Sequence, residues 1–487
     1  MHFKIPSDTV MTPEILAKYI GKHKKIVAAR NQKLQDAYEN RYEIYKAPKK
    51  ADWKPDNRVS TNFAKYITDT FNGFFCGIPI KTESDDDSVN SYIQMLCAYN
   101  NEDSENAELA KISSIHGSAH EIYYLDEFGE ECMTHLSPME SFFLVDDTIL
   151  HRPLYFIRYY LDANNVERGS YSDSRIVRHF RNNGSYVWED EEKRHGFDGV
   201  PATEFKENEE QIGIFESELP AINAHNKALS EKADDVDYFA DAYLKILGPR
   251  VEDNDLAHIR RNRIINFDGD MSGALPDVDF LQKPNADSTQ EHLIDRLETL
   301  IFQMSMVPNI NAESFGNSSG IALRYKMASM KNLFRTKERK FVSGLNNRYK
   351  LLFSNSVALS SGIHVDDWTK IKYQFTPNYP ANVSDEADTA AKLEGIVSKE
   401  TQLSTLSIVD DPKQEIQKMR DEETESMASA AETMRSDDED NVYKISSILE
   451  KRSKGQLTYN NAVRMLTRLG LDEDAAKQML DDKDVTA

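Results

Sequence analysis

The apolar residues of this chain change their repeat twice along its length, and that change restricts the available architectures more than any other feature. Up to about residue 115 the spacing is helical, from about His116 to Val200 it falls to every second position, and beyond Pro220 the helical spacing returns. A helix gathers every third or fourth residue on one face, whereas a strand gathers every second, so one element cannot satisfy both repeats. A predominantly helical chain interrupted by one β block is a mixed α+β fold. Its 487 residues are enough for about three domain-sized units, each able to bury a core.

The β block alternates at Glu121–Leu125, Met139–Val145, Leu154–Leu161, Ile176–Phe180 and Tyr186–Trp188, with turn signals such as Asp126-Glu127-Phe128-Gly129 between them. That pattern predicts an antiparallel sheet. On its N-terminal side, Thr12-Pro13 starts a helix, and Asn62 to Phe75 forms another that Gly73 and Gly77 end. On its C-terminal side, a heptad-phased helix runs from Pro220 to Leu247, where Gly248-Pro249 stops it. Ser288 and Glu291 form a capping box for a helix that Pro308 closes. Between these two helices lie short strands at Arg263–Phe267 and Val278–Leu281. A polar loop, Asn309 to Gly320, precedes what reads as the longest helix, roughly Ile321 to Leu359 and about 60 Å long, with Leu323, Met327, Met330, Phe334, Phe341, Leu345 and Leu352 on its apolar face. Trp368–Phe375 is one more strand. From Asn382 the chain is helical and acidic, ending in a hairpin over Val442 to Leu480.

Composition sharpens the functional classes. The 82 Asp and Glu against 59 Lys and Arg leave a net charge of -23, which argues against tightly held nucleic acid. The imbalance is uneven: 17 acidic residues face 6 basic ones between Asp385 and Asp440, whereas Arg324 to Lys350 holds nine basic residues and one acidic. Arg324, Lys331, Arg335 and Arg339 flank the apolar stripe of that helix. They are either a solvated face, salt-bridge partners of the acidic C-terminal part, or a transient contact for a polyanion. The longest apolar stretches, such as Phe142 to Val145, fall far below the roughly 20 residues of a membrane helix, and no signal-peptide h-region is visible, so the chain is expected in the cytosol. Cys76, Cys97 and Cys132, odd in number and widely spaced, read as reduced thiols.

Chemistry-bearing motifs are few. His116, His120, Cys132 and His135 have zinc-like residue types, and Asp146-Asp147 offers a carboxylate pair, so a metal-dependent nucleic-acid enzyme stands as one alternative. The competing reading makes them ordinary sheet and turn residues. Gly316 to Gly320 precedes a helix but lacks the lysine of a phosphate loop, and no G-x-S-x-G elbow occurs. No metal, cofactor or catalytic residue is expected on this ground, and a plain cytosolic scaffold is a further alternative.

Four stretches together resemble the portal proteins of long-tailed bacteriophages. Asn57 to Ile80 (NRVSTNFAKYITDTFNGFFCGIPI) resembles the family's N-terminal signature, with Asn57, Asn62, Asp69, Gly73, Gly77 and Pro79 in place, and His116 to Asp147 resembles its β wing. Phe280 to Pro284, the capped helix, Met306-Val307-Pro308 and SFGNSSGIALRYKM from Ser314 follow the family's order of clip strand, stem helix, tunnel loop and core helix. Gly395 to Glu423 resembles the start of its crown.

The resemblance implies a non-enzymatic ring subunit, in this family usually one of twelve, at one capsid vertex. It implies a wing over residues 1–219, stem helices at 220–247 and 287–308, a clip at 248–286 and a tunnel loop at 309–320. The core helix with its returning wing strand then falls at 321–381 and the crown at 382–487. The implied partners are double-stranded DNA passing without sequence specificity, the large terminase, the head–tail adaptor, and the major capsid and scaffolding proteins, with no membrane. The implied location is the virion, after assembly in host cytoplasm. Asn309, Asn311, Glu313, Asn317 and Ser318 would face the channel, and Arg260, Arg261, Arg263 and Asp268 would lie in the docking clip. An acidic ring with polar loops suits passage, because each strong phosphate contact would hold the duplex in place.

Overall fold

Thr12 opens the first helix as its position predicts: its hydroxyl accepts the Ile15 amide at 3.3 Å, with Pro13 at the first turn. The computed structural model describes residues 3–52, 54–240, 244–247, 277–280, 287–310, 325–379, 383–406, 408–409 and 412–484. They fall into two compact units, Met1–Tyr379 and Pro380–Ala487. In the first unit, α1 (Pro13–His23) passes through a π turn into α2 (Ala29–Tyr38), followed by the short α3 (Glu43–Lys46), α4 (Phe63–Cys76), α5 (Asp87–Asn100) and α6 (Glu102–His116). Asn62 caps α4 by accepting the Lys65 amide at 3.2 Å. Gly73 lies inside α4, so only Gly77 ends it.

The β block forms two sheets. The larger contains β1 (Phe3–Ile5), β5 (Ser141–Asp146), β6 (Pro153–Leu161), β7 (Glu167–Ser172), β8 (Ile176–Asn182), β9 (Tyr186–Trp188) and β10 (Lys193–Arg194). Apart from β1, which runs parallel to β5 with Phe3 opposite Leu144, its strand pairs are antiparallel. β3 (Ser118–Leu125), β4 (Glu131–Leu136) and β11 (Ala202–Lys206) form the smaller sheet. β7, which reads ERGSYS, shows no apolar alternation; its place between β6 and β8 is set by its neighbours. β2 (Lys81–Ser84) pairs with the returning β14 (Ile371–Gln374), Ile371 opposite Ser84, so the predicted strand at Trp368–Phe375 is shorter, its first part being a 3-10 turn.

Three helices differ from expectation. α7 spans Leu219–Ala240 and stops before Leu247, because Leu244–Leu247 leaves helical phase as strand β12 and pairs with β13 (Asp277–Phe280). Leu-Lys-Ile-Leu fits a strand repeat as well as a heptad, and ribbon pairing decides between them. α8 spans Asp287–Ser305, so Ser288, read as its cap, lies inside its first turn. α9 covers Ala328–Leu352 and ends there because Asn355 accepts the Val357 amide at 3.0 Å and starts a new short helix, α10 (Ser356–Ser360). It is therefore not the longest helix of the chain.

The main core forms where α4, α6 and α9 meet β11. Phe75 is fully buried, with the rings of Phe334, Phe341 and Phe375 at 5.4, 5.5 and 5.6 Å. Gly344 lets α9 approach β11, since a Cβ there would meet the Phe205 ring at 2.6 Å. α9 also carries Lys337 and Arg348 into this interior, both 0% exposed. Lys337 pairs with Glu207 at 2.6 Å and donates to the Ala110 carbonyl at 2.7 Å.

The second unit is helical: α11 (Val383–Leu393), α12 (Lys399–Leu403), α13 (Pro412–Ser453), α14 (Tyr459–Arg468) and α15 (Glu473–Asp484). Ser398 caps α12 through the Thr401 amide at 3.2 Å. At 42 residues α13 is the longest described helix. Its end packs with α14 and α15 around Ile448, Val463, Leu466 and Leu480.

Candidate functional site

The helix pair α7 and α8 is braced by an extended arm. Amides at alternate positions, Asn57, Val59 and Thr61, donate to Asp234 Oδ1 (2.6 Å), Ser230 Oγ (2.9 Å) and Asn226 Oδ1 (2.9 Å) on α7. The two repeats match: two residues of extended chain advance about 6.6 Å and four of a helix about 6.0 Å. The three acceptors are buried, so each is committed to the arm. Asn57 Nδ2 reaches Asp237 at 2.5 Å and Lys50 pairs with Asp234, while Gln290 of α8 donates to Asp235 of α7 at 3.0 Å and Lys232 pairs with Glu291.

The far end of α8 turns sharply. Met306 has a φ of 58°, unusual for a residue with a side chain, and Val307 after it is wholly buried. Tyr66, on the first turn of α4, donates its hydroxyl to the Pro308 carbonyl at 3.3 Å and accepts the Ile310 amide at 2.8 Å. Asn309 donates to Glu298 at 3.2 Å, and a cleft of about 610 Å³ beside it is lined by Asp295, Glu298, Phe302, Met306 and Lys326. Asn309 is thus the one predicted channel residue within the described residues. Asn311, Glu313, Asn317 and Ser318, Arg324, and the clip residues Arg260, Arg261, Arg263 and Asp268 lie outside them, as does the expected strand at Arg263–Phe267.

On α9, Lys331, Arg335 and Arg339 are exposed, so the flank read from the sequence faces water. Arg335 pairs with Glu338 at 2.6 Å, and Lys340 pairs with Glu209. Counting nine cations between Arg324 and Lys350 missed that Lys337 and Arg348 face inward. The signal was present, since 337 follows Phe334 by three positions and 348 follows Leu345 by three, both within the apolar stripe.

The zinc-like residues do not converge. His116 is the last residue of α6, not a strand edge; it is buried and pushed down to about 3, chiefly by desolvation, and so is neutral. His120 Nδ1 lies 2.8 Å from Ser141 Oγ, and His135 Nδ1 lies 2.8 Å from Glu105, which raises the pKa of His135. Burial raises the Cys132 thiol. Asp146 Oδ1 accepts from Thr148 Oγ1 (2.7 Å) and the Arg152 amide (3.0 Å), which makes it the organiser of a turn. Among the described residues no group of three or more His, Cys, Asp or Glu side chains is placed to hold a metal. Among the described residues no helix is long and apolar enough to cross a membrane.

The family profile for phage portal protein, SPP1 Gp6-like, matches residues 17–428, and the chain belongs to that family. The portal protein of Clostridium phage phiCD119 is 24% identical over 443 residues, covering 82% of this chain and 95% of that relative. The portal protein of Bacillus phage SPP1 is 22% identical over 394 residues, covering 76% of this chain and 77% of its own length. Portal proteins are structural components of phage virions, concerned with genome packaging and head–tail connection.

Proposed function

We propose that this chain assembles into a homo-oligomeric ring at one capsid vertex, the channel through which double-stranded DNA enters and leaves. The family match over residues 17–428 carries this reading. α7 and α8 act as stem helices, residues 248–286 as the clip that docks the large terminase and then the head–tail adaptor, and residues 309–320 as the tunnel loop. Residues 1–219 with the returning strand near 371 form the wing, and residues 382–487 the crown. The wing meets the capsid and scaffolding proteins during assembly in the host cytoplasm.

Physical features favour this assignment. Val236 on α7 and Leu293 on α8 are 62% and 53% exposed in the single chain, apolar surface that neighbouring stems would cover in a ring. A net charge of -23 repels a duplex and so opposes tight holding, while Lys331, Arg335 and Arg339 offer brief phosphate contacts. Docking through Arg260, Arg261, Arg263 and Asp268 belongs to the same proposal.

Two measurements test it. Native mass measurement or negative-stain imaging of the purified chain is expected to give a ring near twelve times 55.7 kDa; a monomer at all concentrations would sink the ring. Deleting Asn311 to Ser318 should leave ring assembly intact and abolish packaging or retention of DNA. Normal DNA-filled heads from that deletion would remove the tunnel-loop role.

A further inference from the structure

We infer that Tyr66 is a positioning residue for DNA passage, because its hydroxyl fixes the point and direction from which the chain leaves α8 toward residues 311–324. The functional half of this inference rests on the tunnel-loop reading above, whereas its geometric half does not. In the sequence Tyr66 belongs to the apolar stripe of α4, and nothing there distinguishes it from its neighbours.

The geometry is specific. One phenolic oxygen both donates to the Pro308 carbonyl, at 3.3 Å, and accepts the Ile310 amide, at 2.8 Å, and so clips the main chain on both sides of Asn309. Pro308 fixes the φ just before the first bond, and Asn309, between the two bonds, is itself held by donating to Glu298 at 3.2 Å. Just upstream, Met306 is held at a φ of 58° and Val307 is completely buried. A side-chain-bearing residue keeps that left-handed conformation only where its surroundings over-determine it. The ring of Tyr66 lies edge-on to Phe302 of α8 at 5.6 Å, which sets where the hydroxyl points.

The other end of the clip is equally well held. α4 is capped by Asn62, whose Nδ2 donates to the Tyr38 carbonyl at 3.0 Å and whose Oδ1 accepts the Tyr42 hydroxyl at 3.1 Å. The arm immediately before Asn62 is the segment laddered onto Asn226, Ser230 and Asp234 of α7. One continuous path therefore joins the register of α7, the start of α4 and the exit from α8. A shift of the exit relative to α7 requires either the ladder or the two Tyr66 bonds to break.

Tyr66→Phe in the full chain isolates the hydroxyl, since it keeps the ring against Phe302, and Ile310 is exposed enough for water to replace the lost partner. In assembled rings, hydrogen exchange at the Ile310 amide should accelerate about tenfold, the effect of losing one hydrogen bond. Ring mass and melting temperature should stay at wild-type values, and DNA-filled heads should fall several-fold. Unchanged exchange at Ile310 overturns the clip, and accelerated exchange with normal packaging overturns its role in DNA passage. Tyr66→Leu, which removes the ring as well, guards against a packing effect: packaging lost with Tyr66→Leu and normal with Tyr66→Phe assigns the role to the ring and refutes the inference. The 311–318 deletion run in parallel separates the two readings. If the deletion blocks packaging and Tyr66→Phe does not, only the role of Tyr66 in DNA passage is refuted; if the deletion packages normally, the tunnel-loop role and the role of Tyr66 in passage both fail.

Discussion

Replacing Arg348 by methionine is expected to destabilise the first unit by about 3–5 kcal/mol, the cost of removing one partner from a buried ion cluster. Arg348 is 0% exposed, and all three of its guanidinium nitrogens are hydrogen-bonded. Nε and Nη2 grip Glu121, each at 2.8 Å; Nη1 reaches Glu102 at 2.5 Å; and Nη2 also donates to Asn106 at 2.8 Å. Its plane lies over the Phe205 ring at 5.2 Å. Without it, two carboxylates remain in an interior where Glu121 is 0% and Glu102 4% exposed. Burial already raises the Glu121 pKa, and Arg348 opposes that rise. The loss should therefore shrink at pH 5, where the stranded Glu121 can take up a proton, and a triple change that also converts Glu102 and Glu121 to Gln should recover most of it. Lysine is a poor substitute, because one ammonium cannot grip Glu121 through two nitrogens and still reach Glu102. Denaturant titration of the purified protein reads the effect, and a loss under about 1 kcal/mol would show that the cluster is not what holds α9 to α6 and β3.

The opposite sign is expected at Glu131. Glu131→Gln should stabilise the protein at pH 8 by about 2–3 kcal/mol and lose that advantage by pH 5. The side chain is 1% exposed, accepts the Tyr92 hydroxyl on Oε2 at 2.7 Å, and has an Oε1 with no hydrogen-bond partner. Desolvation pushes it up to about 7 from an ordinary 4.5, with the Tyr92 bond opposing. For a carboxyl whose folded value is raised, the folded state holds a proton between 4.5 and about 7 that the unfolded state has lost. Stability is thus gained as pH falls through 7 and is lowest above it. Glutamine keeps an acceptor for Tyr92 and carries no charge, so its advantage is full above about 7 and fades as pH falls toward 4.5. Melting temperatures of both proteins at pH 8 and pH 5 decide the matter. A difference that does not change with pH would mean that Glu131 acts through packing instead of ionisation.

These two residues show where local reading stops. Glu131 opens a strand that the period-two pattern did not reveal, and Arg348 was counted only as one of nine cations between Arg324 and Lys350. Elements with their own caps were legible: the helix starts read at Thr12 and Asn62 each carry a side-chain cap, because a cap involves residues only two or three positions apart. β7 was not legible, because its strand state comes from β6 and β8. The end of α7 was misread because Leu244–Leu247 fits both repeats, and its partner strand is some thirty residues away. At the candidate site, Asn57 and Asn62 stood out through the family pattern, whereas Tyr66 and Asp234 did not. Their partners, Ile310 for Tyr66 and Asn57 for Asp234, are 244 and 177 positions distant.

The amino-acid order by itself determined the alternation of helical and β segments, the helix starts and the family. Those depend on neighbours within a turn of helix or a pleat of strand, and on residue identities in order. Only the tertiary structure decided which cations are solvent-facing and which are buried, where α7 gives way to a ribbon, and that a tyrosine of α4 holds the exit from α8. The physical reason is the same each time. Burying a charge or clipping a main chain depends on which groups arrive opposite it, and for Arg348 the decisive group, Glu121, lies 227 residues earlier in the chain.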